Sequence, residues 1–157
     1  MRDVAVARAL HVLAIVHWIG GVALVTAVLL PAITRLADPA RRLPLFEAVE
    51  NRFARQARVS VTLAGVTGLY MTHRLGAWGR FLDPGYWWMH AMVAVWLVFA
   101  IVLFVAEPLF LHAWFRRRAE QAPEATFALV QRAHVVLLAA SAITVAAAVL
   151  GAHGLLY

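Results

Sequence analysis

Four stretches of this chain, residues 9–34, 59–72, 84–106 and 133–157, contain no Asp, Glu, Lys or Arg, and that spacing leaves few folds open. Crossing about 30 Å of hydrocarbon takes about 20 apolar residues in a helix. Within hydrocarbon every backbone N–H and C=O must be satisfied inside the protein, which a helix achieves segment by segment. The first, third and fourth stretches are long enough. The second is short, and Arg55 and Arg58 extend it if their guanidinium groups snorkel outward along the same helix. The expectation is an all-α fold: an integral membrane four-helix bundle, one transmembrane domain over residues 1–157, with spans near 4–34, 43–74, 85–118 and 125–153.

Composition agrees, since 64% of the 157 residues are hydrophobic, well above the share in soluble domains. The first stretch is too long for a cleavable leader and lacks a small-residue cleavage site, so it is expected to remain as a span. With no Cys, disulfides, thiolate ligands and iron–sulfur clusters are excluded. The net charge of +6 does not point to nucleic acid, because the arginines flank spans. Arg35, Arg41, Arg42, Arg52, Arg55 and Arg58 lie between spans one and two, and Arg116, Arg117, Arg118 and Arg132 between spans three and four. Arg2, Arg8, Arg74 and Arg80 fall on the other face. The positive-inside rule then places both interior loops in the cytoplasm and both termini on the outer, periplasmic side of a bacterial inner membrane.

Several local patterns refine this outline. Residues 43–58 alternate apolar and charged side chains at helical spacing, with Leu45, Val49 and Phe53 on one face and Glu47, Glu50 and Arg55 elsewhere. This reads as an amphipathic cytoplasmic extension of span two. Gly20 and Gly21 in span one leave room for a neighbouring helix or a flat cofactor, and Gly65 and Gly68 form a small-residue patch in span two. Trp78, Tyr86, Trp87 and Trp88 fit an aromatic belt at the outer interface. Pro108 should kink span three or end its regular hydrogen bonding, and Glu107 beside it is expected to answer Arg116 or Arg132.

Ligating side chains inside a span are costly and mark functional candidates. At about 1.5 Å of rise per residue, His11 in span one and His90 in span three sit at similar depth below the outer face. His17 is six positions beyond His11, so the two point roughly 120° apart and cannot share one small site. Trp18, seven beyond His11, shares its stripe. His134 enters from the cytoplasmic side of span four. His73, His112 and His153 lie near span ends, where exposure or an interhelical hydrogen bond accounts for them. Two imidazoles level with each other on separate helices suit the axial positions of haem iron, with Arg8, Arg74 or Arg80 available for propionates and Met92 as an alternative axial ligand. Copper is the competing metal, through Met71, Met89 and Met92, without the Cys that membrane copper carriers favour.

The run Ala9-Leu10-His11-Val12-Leu13-Ala14-Ile15-Val16-His17-Trp18-Ile19-Gly20-Gly21 resembles the first helix shared by HemJ-type protoporphyrinogen oxidases and CopD-like copper-resistance membrane domains. Phe46-Glu47 through Asn51-Arg52-Phe53 is similar to the acidic-basic run before the second HemJ helix. Trp88-Met89-His90-Ala91-Met92 is similar to the W-x-H-x-K stretch of the third. The resemblance covers about the first two-thirds of the chain and implies a four-helix bundle binding haem b, with His11 as one ligand and the second from span three. The family lysine is replaced here by Met92, or by His90 if the alignment slips by two, so the oxidase activity does not transfer directly. Bis-imidazole ligation suits electron transfer instead.

These readings converge on a haem b-binding inner-membrane redox protein. It would transfer electrons or oxidise a membrane-soluble substrate such as a quinol or porphyrinogen, within membrane lipid, with a periplasmic redox partner. Whether it is an enzyme or forms a homo-oligomer stays open, and no nucleic acid is expected. The candidate cofactor residues are His11, His90, His17, His134, Trp18, Arg8 and Arg74. The alternatives are a copper transport or resistance protein and a cofactor-free subunit of a membrane complex.

Overall fold

The computed structural model describes residues 1–156; Tyr157, the last residue of the fourth apolar stretch, lies outside them. Four helical rods follow one another: α1 (Arg2–Leu36), α2 (Pro39–Arg74), α3 (Pro84–Gln121) and α4 (Pro123–Ala152). No strand occurs among the described residues. Proline opens α2, α3 and α4, where its missing N–H costs nothing and its fixed φ suits the first turn. Between α2 and α3 the chain turns at Gly76, with φ 60°, the left-handed region that glycine enters without strain. Asp83 then accepts the Gly85 N–H at 2.8 Å to start α3. Pro108 does not break α3: the rod passes it in a π-helical stretch, Val102–Leu111, in which the α-type bonding that proline would interrupt is already replaced.

α1, α3 and α4 are each long and apolar enough to cross a membrane. α2 carries a charged first half.

α1 and α2 pack antiparallel along a seam with steps of three and four residues. Ala7, His11, Ala14, Trp18, Gly21 and Val25 form one side, and Phe46, Glu50, Phe53, Ala57, Ser60, Ala64 and Thr67 the other. That spacing is the 3.5-residue period of coiled coils. It corrects the expected face of the amphipathic segment. Phe46 is 2% exposed, while Leu45 and Val49 are 44% and 41% exposed, because Phe46 rather than its neighbours falls on the seam.

The interior is stacked in three layers. At the end where α1 meets α2 and α3 meets α4, called the basic end here, Phe46, Phe115 and Phe127 touch with ring centroids 5.3–5.9 Å apart, beside Val25, Leu30 and Ile33. In the middle, Trp18 of α1 meets Phe99 of α3 edge to face at 4.7 Å, over Val22 and Val61. Toward the end that carries the termini, Trp88, Met89 and Ala147 join α3 to α4.

Candidate functional site

His11 sits on the α1–α2 seam, half-buried, with Nδ1 2.9 Å from the Ala64 carbonyl oxygen and 3.0 Å from Thr67 Oγ1. The Thr67 hydroxyl donates to the Leu63 carbonyl at 2.6 Å, so its hydrogen is committed. His11 Nδ1 therefore carries the proton and donates to Ala64, which leaves the Nε2 lone pair without a hydrogen. A carbonyl holding one ring nitrogen is also the device that orients ligating histidines in metal proteins. Gly68 makes the fit possible, since a Cβ there would lie 3.2 Å from His11 Cε1.

His17, one turn and a half further on, donates from Nδ1 to Ser60 Oγ at 2.8 Å, and the Ser60 hydroxyl donates to the Gln56 carbonyl at 3.3 Å. His134 donates to the Val130 carbonyl of its own helix at 2.9 Å. His90 is exposed and bonds through Nε2 to the Phe81 carbonyl at 3.1 Å, with the Phe81 ring edge-on at 5.3 Å. Trp18 is 4% exposed, and its Nε1 is buried without a hydrogen-bond partner. Met92 packs against the Trp88–Met89–Ala147 layer. Arg8 is exposed.

The candidates expected to converge thus have separate surroundings. His11 faces Ala64, Thr67 and Gly68 of α2, and His90 faces Phe81 in the α2–α3 connection. Of the two glycines read as room for a flat cofactor, Gly20 faces open space and Gly21 faces an aromatic ring, as Gly65 and Gly151 also do. A Cβ at Gly21 would overlap the Phe53 ring, one at Gly151 would overlap the Trp88 indole, and one at Gly65 would lie 2.6 Å from Trp96. Trp96 is further held by its Nε1–H donating to the Val61 carbonyl at 2.8 Å. Among the described residues no group of three or more His, Asp or Glu side chains is placed to hold a metal ion.

Arg74, a candidate for propionates, is instead engaged with Asp3: its Nη2 and Nε lie 2.9 and 3.0 Å from Oδ2. Tyr70 donates to the same carboxylate at 2.8 Å, and the terminal ammonium reaches Oδ1 at 2.9 Å. These donors, the ammonium foremost, hold the Asp3 carboxyl well below the usual carboxylate range.

Charged groups pair from the middle of α2 down to the basic end in an arrangement that sequence reasoning did not assemble. Arg58 turns inward rather than snorkelling, donating from Nη2 to Glu107 Oε2 at 2.7 Å and from Nε to the Leu103 carbonyl at 3.0 Å. Glu107 therefore answers Arg58, not Arg116 or Arg132. Arg116 pairs with Glu47 at 3.3 Å, and His112 approaches the same oxygen at 3.8 Å. Glu50, on the seam in the charged first half of α2, is raised from the usual carboxyl value of 4.5 to about 7, first by burial and then by the charges of Glu107 and Glu47. The legible clue was the period: Glu50 shares the 3.5-residue stripe of Phe46, Phe53 and Ala57.

No family model, curated protein or solved structure matches the chain.

Proposed function

We propose that the chain is a membrane-embedded haem b protein of redox function in a bacterial inner membrane, with all four rods crossing and both termini on the periplasmic side. Three rods of suitable length and hydropathy support the membrane setting, and the ten arginines at the basic end support the orientation. The observation that carries the cofactor reading is His11: half-buried in an apolar rod, with Nδ1–H tied to the Ala64 carbonyl and Nε2 left free to ligate. One-electron exchange with a quinol, a porphyrinogen or a periplasmic partner is the chemistry an iron porphyrin supplies when bound. The chain's own contribution is to orient His11 through Ala64 and to surround it with apolar side chains. For the second ligand, His90 must release the Phe81 carbonyl to offer Nε2, whereas the Met92 thioether makes no such bond.

The test is the visible spectrum of the purified full chain, oxidised and reduced. A Soret band lost in His11→Ala and kept in His112→Ala supports the reading; loss in His90→Ala or in Met92→Leu identifies the second ligand. A second reading, a cofactor-free subunit of a membrane complex, is favoured by the rings of Phe53, Trp96 and Trp88 in the glycine gaps. Colourless, metal-free protein supports that alternative, and stoichiometric copper without a Soret band supports a copper carrier.

A further inference from the structure

The end of α3 presents two different faces within one turn. Phe115 points inward, 6% exposed, onto Phe46 and Phe127. Its neighbours consequently face out: Leu109, Phe110 and Trp114 are 74%, 58% and 42% exposed. These three, with Ala113, Arg117 and Arg118, border an open groove of about 510 Å³. Apart from Gln121 and the two arginines its lining is apolar or aromatic.

The three consecutive arginines are not equivalent. Arg116 is taken up by Glu47. Arg118 lies over the Trp114 ring, 5.6 Å from its centroid, a contact that orients a guanidinium without neutralising it. Neither Arg117 nor Arg118 has a carboxylate partner within ion-pair distance among the described residues, and no Asp or Glu borders the groove. Two unneutralised guanidiniums above an apolar wall match a molecule with an anionic head and a hydrocarbon tail. Guanidinium binds phosphate through paired N–H donors, and basic patches at the cytoplasmic boundary of membrane helices attract anionic lipid.

We infer that this groove is a binding site for an anionic phospholipid, with the phosphate on Arg117 and Arg118 and an acyl chain against Leu109, Phe110 and Trp114. The inference rests on the membrane reading above but not on the haem. A zwitterionic lipid fits less well, because its own cation would be brought beside both arginines.

The experiment uses the full chain reconstituted into phosphatidylcholine vesicles with or without a minority of phosphatidylglycerol, followed by native mass spectrometry of the lipid retained on the protein. Phosphatidylglycerol should be enriched about thirtyfold over its share of the bilayer, from roughly 1 kcal/mol for each of the two guanidiniums near the headgroups. The pair Arg117→Gln and Arg118→Gln should abolish that enrichment, while Arg52→Gln and Arg55→Gln, exposed arginines on α2 at the basic end, should preserve it. Quenching of tryptophan fluorescence by brominated phosphatidylglycerol should fall in Trp114→Phe. Entry into both vesicles with no enrichment, or enrichment that survives loss of Arg117 and Arg118, overturns the site while leaving the membrane reading intact. Failure to enter either bilayer overturns both.

Discussion

The α1–α2 seam and the basic end bury polar groups by opposite means. Along the seam, His11 is held by a backbone carbonyl of the facing rod, and small residues such as Ala57, Ala64 and Gly68 let the rods close on it. At the basic end the polar groups are ionic, with Arg58 on Glu107 and Arg116 on Glu47, next to a packed layer of phenylalanines. The difference follows from the surroundings. A neutral hydrogen bond asks for little compensation in an apolar setting, whereas a charge taken out of water needs an opposite charge and further hydrogen bonds beside it.

The contrast can be broken most severely at the seam. Gly21→Leu should push Phe53 out of its place and separate α1 from α2, at a cost on the order of 1–3 kcal/mol or more, read as a lowered thermal midpoint in detergent. Gly20→Ala, one residue away in open space, should stay within about 0.5 kcal/mol of the parent. Equal effects at the two glycines would show that the seam register is wrong.

At the basic end, Arg58→Ala should cost about 1–3 kcal/mol, because it strips Glu107 and the Leu103 carbonyl of a charged donor. Its combination with Glu107→Gln should cost less than the two single changes together. Strict additivity in that cycle would remove the pair from the account.

Glu50 sharpens the comparison through pH. Its carboxyl is raised in the folded chain, so the folded state holds the proton more tightly than the unfolded one. The associated stability is present below pH 4.5 and is lost as pH rises through about 7. The thermal midpoint should decline across that window and flatten in Glu50→Gln; a parallel decline in both proteins would assign the effect elsewhere. The smallest effect is expected at the exposed cluster around Asp3. Asp3→Asn should leave the midpoint nearly unchanged, and any shift should vanish in high salt, as exposed ion pairs do.

Much of the architecture was legible because it depends on length and polarity. The charge-free stretches anticipated an all-helical chain, and three of its rods, Arg2–Leu36, Pro84–Gln121 and Pro123–Ala152, are long and apolar enough to cross a membrane. The common stripe of His11 and Trp18 was also legible, since seven residues close two turns. The partners were not. A helical repeat shows that His11 shares a face with Trp18, yet nothing local shows that the face meets Ala64 and Thr67, or that Phe53 fills the space left by Gly21. Depth counting placed His11 and His90 level with each other, but depth is one coordinate and a shared site needs three.

Sequence alone determined that this chain is helical and which end of each rod is basic, because backbone satisfaction and charge placement are decided residue by residue. Tertiary structure alone decided the pairings: Arg58 with Glu107, Arg74 with Asp3, Trp88 against Gly151 and His11 against Ala64. Those depend on the rotation and register of one rod against another, which are set by the fit of side chains from distant parts of the chain.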